Sequence, residues 1–155
     1  NSIVDLTLDQ IASIYKGEIK NWSEVGGVDS EIVVVGREAG SGTRDGFEEI
    51  VAIKDEAVYE SELNETGQVK NLVSTTPGAI GYVSLDYVDN TVKLLKVDGV
   101  EATAENIKAG SYPIQRPFMM ITKDETPETK AFIEYILSPE GQDIVVLKGC
   151  ISVLD

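Results

Sequence analysis

The chain contains no histidine, one cysteine, and only 13 lysines and arginines against 27 acids. Each shortage excludes something. Without histidine, the commonest general base and the commonest metal ligand are gone. The lone Cys150 cannot form an intramolecular disulfide. It sits in an apolar tail, Cys150-Ile151-Ser152-Val153, and reads as a buried, inert thiol. There is no Cys/His cluster with metal-ligand spacing, so neither a metal nor another cofactor is expected. No apolar run is long enough to span a membrane. A net charge of −14 repels nucleic acid and anionic lipid at long range, which makes both poor partners. An anion ligand must therefore be held by local hydrogen bonds, not drawn in by steering. No signal peptide is visible, and a start at Asn1 in place of Met suggests an excised segment.

With 155 residues and no repeats, the chain is long enough to bury a real core. Its most informative stretch is Val33-Val34-Val35-Gly36-Arg37-Glu38-Ala39-Gly40-Ser41-Gly42-Thr43-Arg44-Asp45. An apolar β-branched run, residues 32–35, stops at Gly36. A helical pattern begins at Thr43, with Phe47, Ile50 and Val51 on one face. A buried strand that feeds a Gly-rich loop opening a helix is an anion-site arrangement, because the first helical N–H groups lack partners and carry partial positive charge. Gly40 and Gly42 let the backbone curl around a ligand. Ser41 and Thr43 offer hydroxyls, and Arg37 offers charged donors. The same spacing also describes an ordinary N-cap turn. It is neither a Walker A loop, lacking the lysine, nor a G-x-G-x-x-G fingerprint.

The remaining pattern is that of an α/β chain. Thr7-Leu8-Asp9-Gln10 reads as a capping box that starts a helix stopped at Gly17. Residues 21–27 form a turn with one short helical twist. The first loop-borne helix is expected over 43–53, and residues 54–65 read as a variable surface loop. A helix over 67–74 follows, then a Pro77-Gly78 turn and a strand over 79–83. Residues 92–97 and 100–102 read as a hairpin closed by Asp98-Gly99. A helix over 104–109 is capped by Thr103 and stopped by Gly110. Residues 118–122 read as an apolar strand. Thr126-Pro127 and Ser138-Pro139 each start a helix with a cap and an N1 proline. Glu48-Glu49 and Asp55-Glu56 read as solvated faces, Trp22 as a packing residue, and Tyr82 and Tyr112 as partly buried scaffold.

Four segments together resemble one family. They are Leu6-Thr7-Leu8-Asp9-Gln10-Ile11-Ala12 through Gly17-Glu18-Ile19-Lys20-Asn21-Trp22; Arg37 through Arg44; Thr76-Pro77-Gly78-Ala79-Ile80-Gly81-Tyr82-Val83; and Tyr112-Pro113 through Phe132-Ile133-Glu134-Tyr135-Ile136-Leu137-Ser138-Pro139-Glu140-Gly141-Gln142. The chain is similar to the phosphate-binding subunits of ABC-type phosphate importers, the PstS-like solute-binding proteins. The resemblance implies one lobe of a type II periplasmic-binding-protein fold, a central mixed sheet flanked by helices. Residues 1–112 would be the second, anion-binding lobe of a two-lobed clamp. Residues 113–155 would be a strand and two helices that return to the first lobe. The first lobe, with its proton-accepting carboxylate, has no match in this sequence.

The same resemblance places Arg37, Ser41, Gly42 and Thr43 on an R-x-x-x-S-G-T anion motif. Arg37 would pair with phosphate oxygens, Ser41 and Thr43 would donate, and the Gly42 N–H would complete the cradle. As a loop arginine, Arg37 would carry little packing. Some relatives have an Asp two residues after the arginine to hold its guanidinium. Here that position is Ala39, and Glu38 either substitutes or faces water. Thr76-Pro77-Gly78 reads as a structural turn. The implied function is capture of inorganic phosphate by an extracytoplasmic, lipid-anchored protein that delivers it to a membrane permease. The alternatives are an interaction domain that keeps the fold without the ligand, and a phosphate-ester hydrolase, which would need a base beside Ser41 or Thr43. Without a first lobe, the apolar residues of 113–155 need cover, from the rest of the chain or from a second copy.

Overall fold

The computed structural model describes residues 2–154. The chain divides into two compact units, Asn1–Gln115 and Arg116–Asp155.

The first unit is built on β2 (Val33–Arg37), an apolar strand whose middle residues are all buried. It is the centre of a three-stranded sheet in the order β3-β2-β4, with β3 at Ser61–Leu63 and β4 at Ala79–Gly81. Both pairings are parallel: Val35 lies opposite Ser61 and Gly81, and Arg37 opposite Leu63. Parallel neighbours need crossovers. Helices α2 (Gly42–Ile50) and α3 (Thr66–Thr75) supply them. A separate parallel pair joins β1 (Asp5–Leu6) to β5 (Lys96–Val97). The α/β class holds. Between the named strands all pairing is parallel, and the antiparallel part of the expected mixed sheet is confined to bridges at Asn21–Glu31 and Val97–Val100.

Helix starts follow their caps. The Thr7–Gln10 capping box forms and begins α1 (Leu8–Tyr15), and Gly17 takes the left-handed conformation at its end. Asn21 caps the 3-10 turn Trp22–Val25 in the same reciprocal way with Glu24. Thr103 caps α4 (Ala104–Lys108). The core gathers Leu6, Ile14, Tyr15, Trp22, Ile53 and Val97, which are almost wholly buried. Burial of one such large side chain is worth about 1.5–3 kcal/mol. Trp22 packs as expected and donates its indole N–H to the Gly78 carbonyl at 2.9 Å, so the Pro77-Gly78 turn is tied to the core.

Four expectations are corrected in this unit. Strand β2 does not stop at Gly36 but continues to Arg37. Gly36 is buried within the strand because the Tyr59 ring lies where its Cβ would be. Residues 54–65 are not simply a surface loop, for they contain β3, and Tyr59 packs against the core. Helix α2 ends at Ile50, and Ala52 turns away with φ of 56°. The expected hairpin over 92–102 shrinks to one bridge. Its Asp98-Gly99 turn has φ of 52° and 79°, as a type I′ turn requires, and Val97 and Val100 exchange both backbone bonds across it, while Leu6 of β1 lies opposite Val97 on its other edge.

In the second unit, Thr126 and Ser138 cap α5 (Pro127–Ile136) and α6 (Pro139–Leu147), each with proline in the first turn. The two helices pack on each other. Buried Gln142 bridges the carbonyl of Ile136 and the N–H of Val153. Gly141 cannot carry a Cβ, which would collide with the carbonyls of Tyr135 and Ile136. The strand expected over 118–122 does not form. An apolar run makes a strand only where a partner accepts its backbone bonds, and Phe118 and Ile121 are 88% and 89% exposed. Cys150 is a free thiol but only half-buried.

Candidate functional site

Strands β2 and β3 run parallel, so both end at the same edge of the sheet. The α2 and α3 crossovers leave from that edge and present their N-termini there, the usual ligand position in open parallel sheets. Arg37 is the last residue of β2 and Ser41 caps α2 four residues later. The helix therefore starts one residue earlier than expected, with Gly42 and Thr43 in its first turn. Ser41 is buried and its Oγ accepts the Arg44 N–H at 3.3 Å. Gly40 has φ of 89° and open space around it, and Gly42 also has nothing near its Cβ position. The loop thus has the curl and the clearance that backbone contact with a ligand needs.

Arg37 is not a loosely held loop residue. Its Nε–H is shared between Glu38 Oε2 at 2.9 Å and the Leu63 carbonyl at 3.2 Å. Nη2 donates to Glu38 Oε1 and the Asn64 carbonyl, each at 3.0 Å. Nη1 donates to Thr66 Oγ1 at 2.7 Å. A guanidinium has five N–H donors. Among the described residues, one Nη1 hydrogen is left without an acceptor. Glu38 therefore grips the guanidinium with both oxygens, the support expected two residues on at the Ala39 position. The hydrogen bond from Arg37 holds the Glu38 carboxyl below the usual glutamate range. The same bond raises the Arg37 pKa.

Behind this edge lies a second set of polar groups. Arg44 Nε donates to Glu48 at 2.7 Å, and its Nη1 to Glu62 at 2.9 Å and to the Arg37 carbonyl at 3.0 Å. Its guanidinium lies 4.7 Å from the Tyr59 ring centre. Burial disfavours the Arg44 charge, yet the bonds to Glu48 and Glu62 outweigh it and raise the pKa. Glu48 is 6% exposed, which corrects its reading as a solvated face. Tyr59 donates to Glu48 at 2.9 Å, and Tyr82 accepts the Arg37 N–H at 3.0 Å. Burial raises the pKa of both phenols. Phe47 stacks on Tyr82 with ring centres 4.2 Å apart. The i,i+4 spacing of Arg44 and Glu48 was a sequence signal for one of these pairs. Nothing local marked Thr66, 29 residues from Arg37.

Among the described residues, no group of three or more His, Cys, Asp or Glu is placed to hold a metal ion, and no helix is long and apolar enough to cross a membrane.

The chain is similar to proteins of named function. The phosphate-binding protein PstS of Bacillus subtilis is 37% identical over 99% of this chain and 52% of its own length. Phosphate-binding protein PstS 2 of Streptococcus agalactiae is 45% identical over 77% of this chain and 45% of its own. The chain thus spans about half the length of these curated relatives. A crystal structure of a Clostridium perfringens protein, named for phosphate ABC transport and solved with bound phosphate, superposes with a TM-score of 0.90 at 51% identity. It covers 99% of this chain and 65% of that one. An ABC-type phosphate transport receptor from Vibrio cholerae gives 0.85 at 34% identity, covering 97% and 65%. A family model of PBP superfamily domains matches residues 1–140. The parallel sheet and these matches agree: the chain belongs to the PBP superfamily, and its relatives there are PstS-type phosphate-binding proteins.

Proposed function

We propose that this chain captures inorganic phosphate at the carboxyl edge of the β3-β2-β4 sheet, with Arg37, Ser41, Gly42 and Thr43 as its donors. The observation that carries the reading is the junction of β2 and α2. A strand ending in a buttressed arginine opens, four residues on, a capped helix with an uncluttered glycine loop. The phosphate-bound C. perfringens relative, similar over nearly the whole chain, supports phosphate as the anion. Capture would replace water by fixed donors with no bond made or broken, in an extracytoplasmic solute-binding protein that delivers phosphate to an ABC importer permease. Residues 1–112 would act as one jaw of a two-lobed clamp that closes by hinge motion, and residues 113–155 as the segment returning to the other jaw.

A site open to water on one side competes at high dielectric. The chain alone should therefore bind phosphate far more weakly than an intact two-lobed relative. Titration calorimetry with inorganic phosphate should give heats that Arg37→Ala abolishes. Sub-micromolar binding by the monomer would contradict the clamp reading, and unchanged binding by Arg37→Ala would remove Arg37 from the site. A chromogenic phosphate ester should not be turned over.

One observation favours a second reading, in which the fold is kept without its ligand. Nearly all of the Arg37 donor capacity is already used within the chain. The absence of phosphate heats at millimolar concentration would decide for it.

A further inference from the structure

The peptide of Arg37 is held by side chains on both sides. Strand β4 pairs with β2 only as far as Val35–Gly81, two residues short of Arg37. The Arg37 N–H would be left without a strand acceptor. The Tyr82 hydroxyl, just past the end of β4, takes it at 3.0 Å. On the other side, Arg44 Nη1 donates to the Arg37 carbonyl at 3.0 Å. These two holders are themselves linked. Tyr82 donates to the Tyr59 hydroxyl at 3.4 Å, the longest step, Tyr59 donates to Glu48 at 2.9 Å, and Glu48 accepts from Arg44 at 2.7 Å. The links close a circuit: Arg37 N–H, Tyr82, Tyr59, Glu48, Arg44, Arg37 carbonyl. Each phenol donates once and accepts once, so every member fits its capacity. Glu48 and Tyr82 are buried, where a satisfied polar network fixes one arrangement and a broken one is costly.

We propose that Tyr82, Tyr59, Glu48 and Arg44 are positioning residues for the anion site. The circuit locks the end of β2 to the first turns of α2. It thereby sets the direction of the Arg37 guanidinium against the Ser41–Thr43 loop. As a statement about phosphate affinity, this rests on the reading given under Proposed function. None of the four is among the proposed phosphate donors.

The test uses the whole chain, isotope-labelled, with inorganic phosphate as the probe. Tyr82→Phe keeps the ring against Phe47 and removes only the hydroxyl. It should shift or broaden the Arg37 Nε–H resonance before any phosphate is added. It should also weaken phosphate binding by roughly three- to tenfold, the equivalent of one hydrogen bond, and should add little loss in an Arg37→Lys background. A Tyr82→Phe chain with a wild-type Arg37 resonance and affinity would overturn the proposal. So would an equal loss in the presence and absence of Arg37→Lys, which would mean that the effect does not pass through Arg37. If Tyr82→Phe fails to fold, Tyr59→Phe keeps the ring against Gly36, breaks the circuit at the next link and should give the same signature. If the wild-type chain binds no phosphate, the phosphate reading fails by itself, and the Arg37 resonance in phosphate-free samples still decides on the circuit.

Discussion

In the proposed site, Arg37 joins stability to binding. It ends a buried strand, and its guanidinium ties together Glu38, the β3–α3 connection and the first residue of α3. Its replacement leaves the Asn64 carbonyl and the Thr66 hydroxyl without this donor, while the Leu63 carbonyl keeps the Glu38 N–H. Arg37→Ala should therefore cost about 1–3 kcal/mol of stability as well as phosphate binding. An unchanged denaturation midpoint would show that these bonds are replaced by water at no cost. Glu38 makes the same point through pH. Its pKa is lowered chiefly by the hydrogen bond from Arg37. A group depressed in the folded state contributes stability above its ordinary range, and loses it as pH falls through the depressed value. A carboxyl carbon titration of Glu38 should give a midpoint below that of free glutamate, moving upward in Arg37→Ala. A wild-type midpoint at the free value would deny the pairing.

At the scale of elements, local chemistry was legible and partnership was not. Thr7-Leu8-Asp9-Gln10, Thr126-Pro127 and Ser138-Pro139 each start a helix where their own residues say so, because a cap needs only atoms within one turn. Strand β3, Ser61-Glu62-Leu63, has no apolar run to announce it. It exists because β2 offers backbone bonds to it from a distant part of the chain. Residues 118–121 fail for the opposite reason, with apolar side chains but no strand beside them. The site divides in the same way. Its strand, loop and helix start were readable along one stretch. Thr66, Tyr82 and Tyr59 come from 22 to 45 residues away along the chain. Gly36 is the clearest case of a contact that the sequence disguises as a stop signal. Gly36→Ala should push the Tyr59 ring off β2, disturb Arg44 above it, and cost about 1–3 kcal/mol. A melting temperature equal to wild type would show that Tyr59 can move aside freely.

For the whole molecule, the apolar surface is unevenly distributed. The buried apolar core lies in the first unit, while in the second Phe118, Ile121 and Leu147 are more than 80% exposed. Such a patch invites cover, and the curated relatives are about twice as long as this chain. We predict that the isolated chain self-associates through residues 116–154. Size-exclusion chromatography with light scattering should show dimers or larger species that Phe118→Ser with Ile121→Ser returns to monomer. A wild-type monomer at high concentration would contradict this. The central claim is narrower and is tested by following backbone amides as inorganic phosphate is added. It predicts saturable shifts of Gly40, Ser41, Gly42 and Thr43, and of the Arg37 guanidinium, that disappear in Arg37→Ala. Amides at these positions that stay fixed to millimolar phosphate, or that move no more than the rest of the chain, would contradict it.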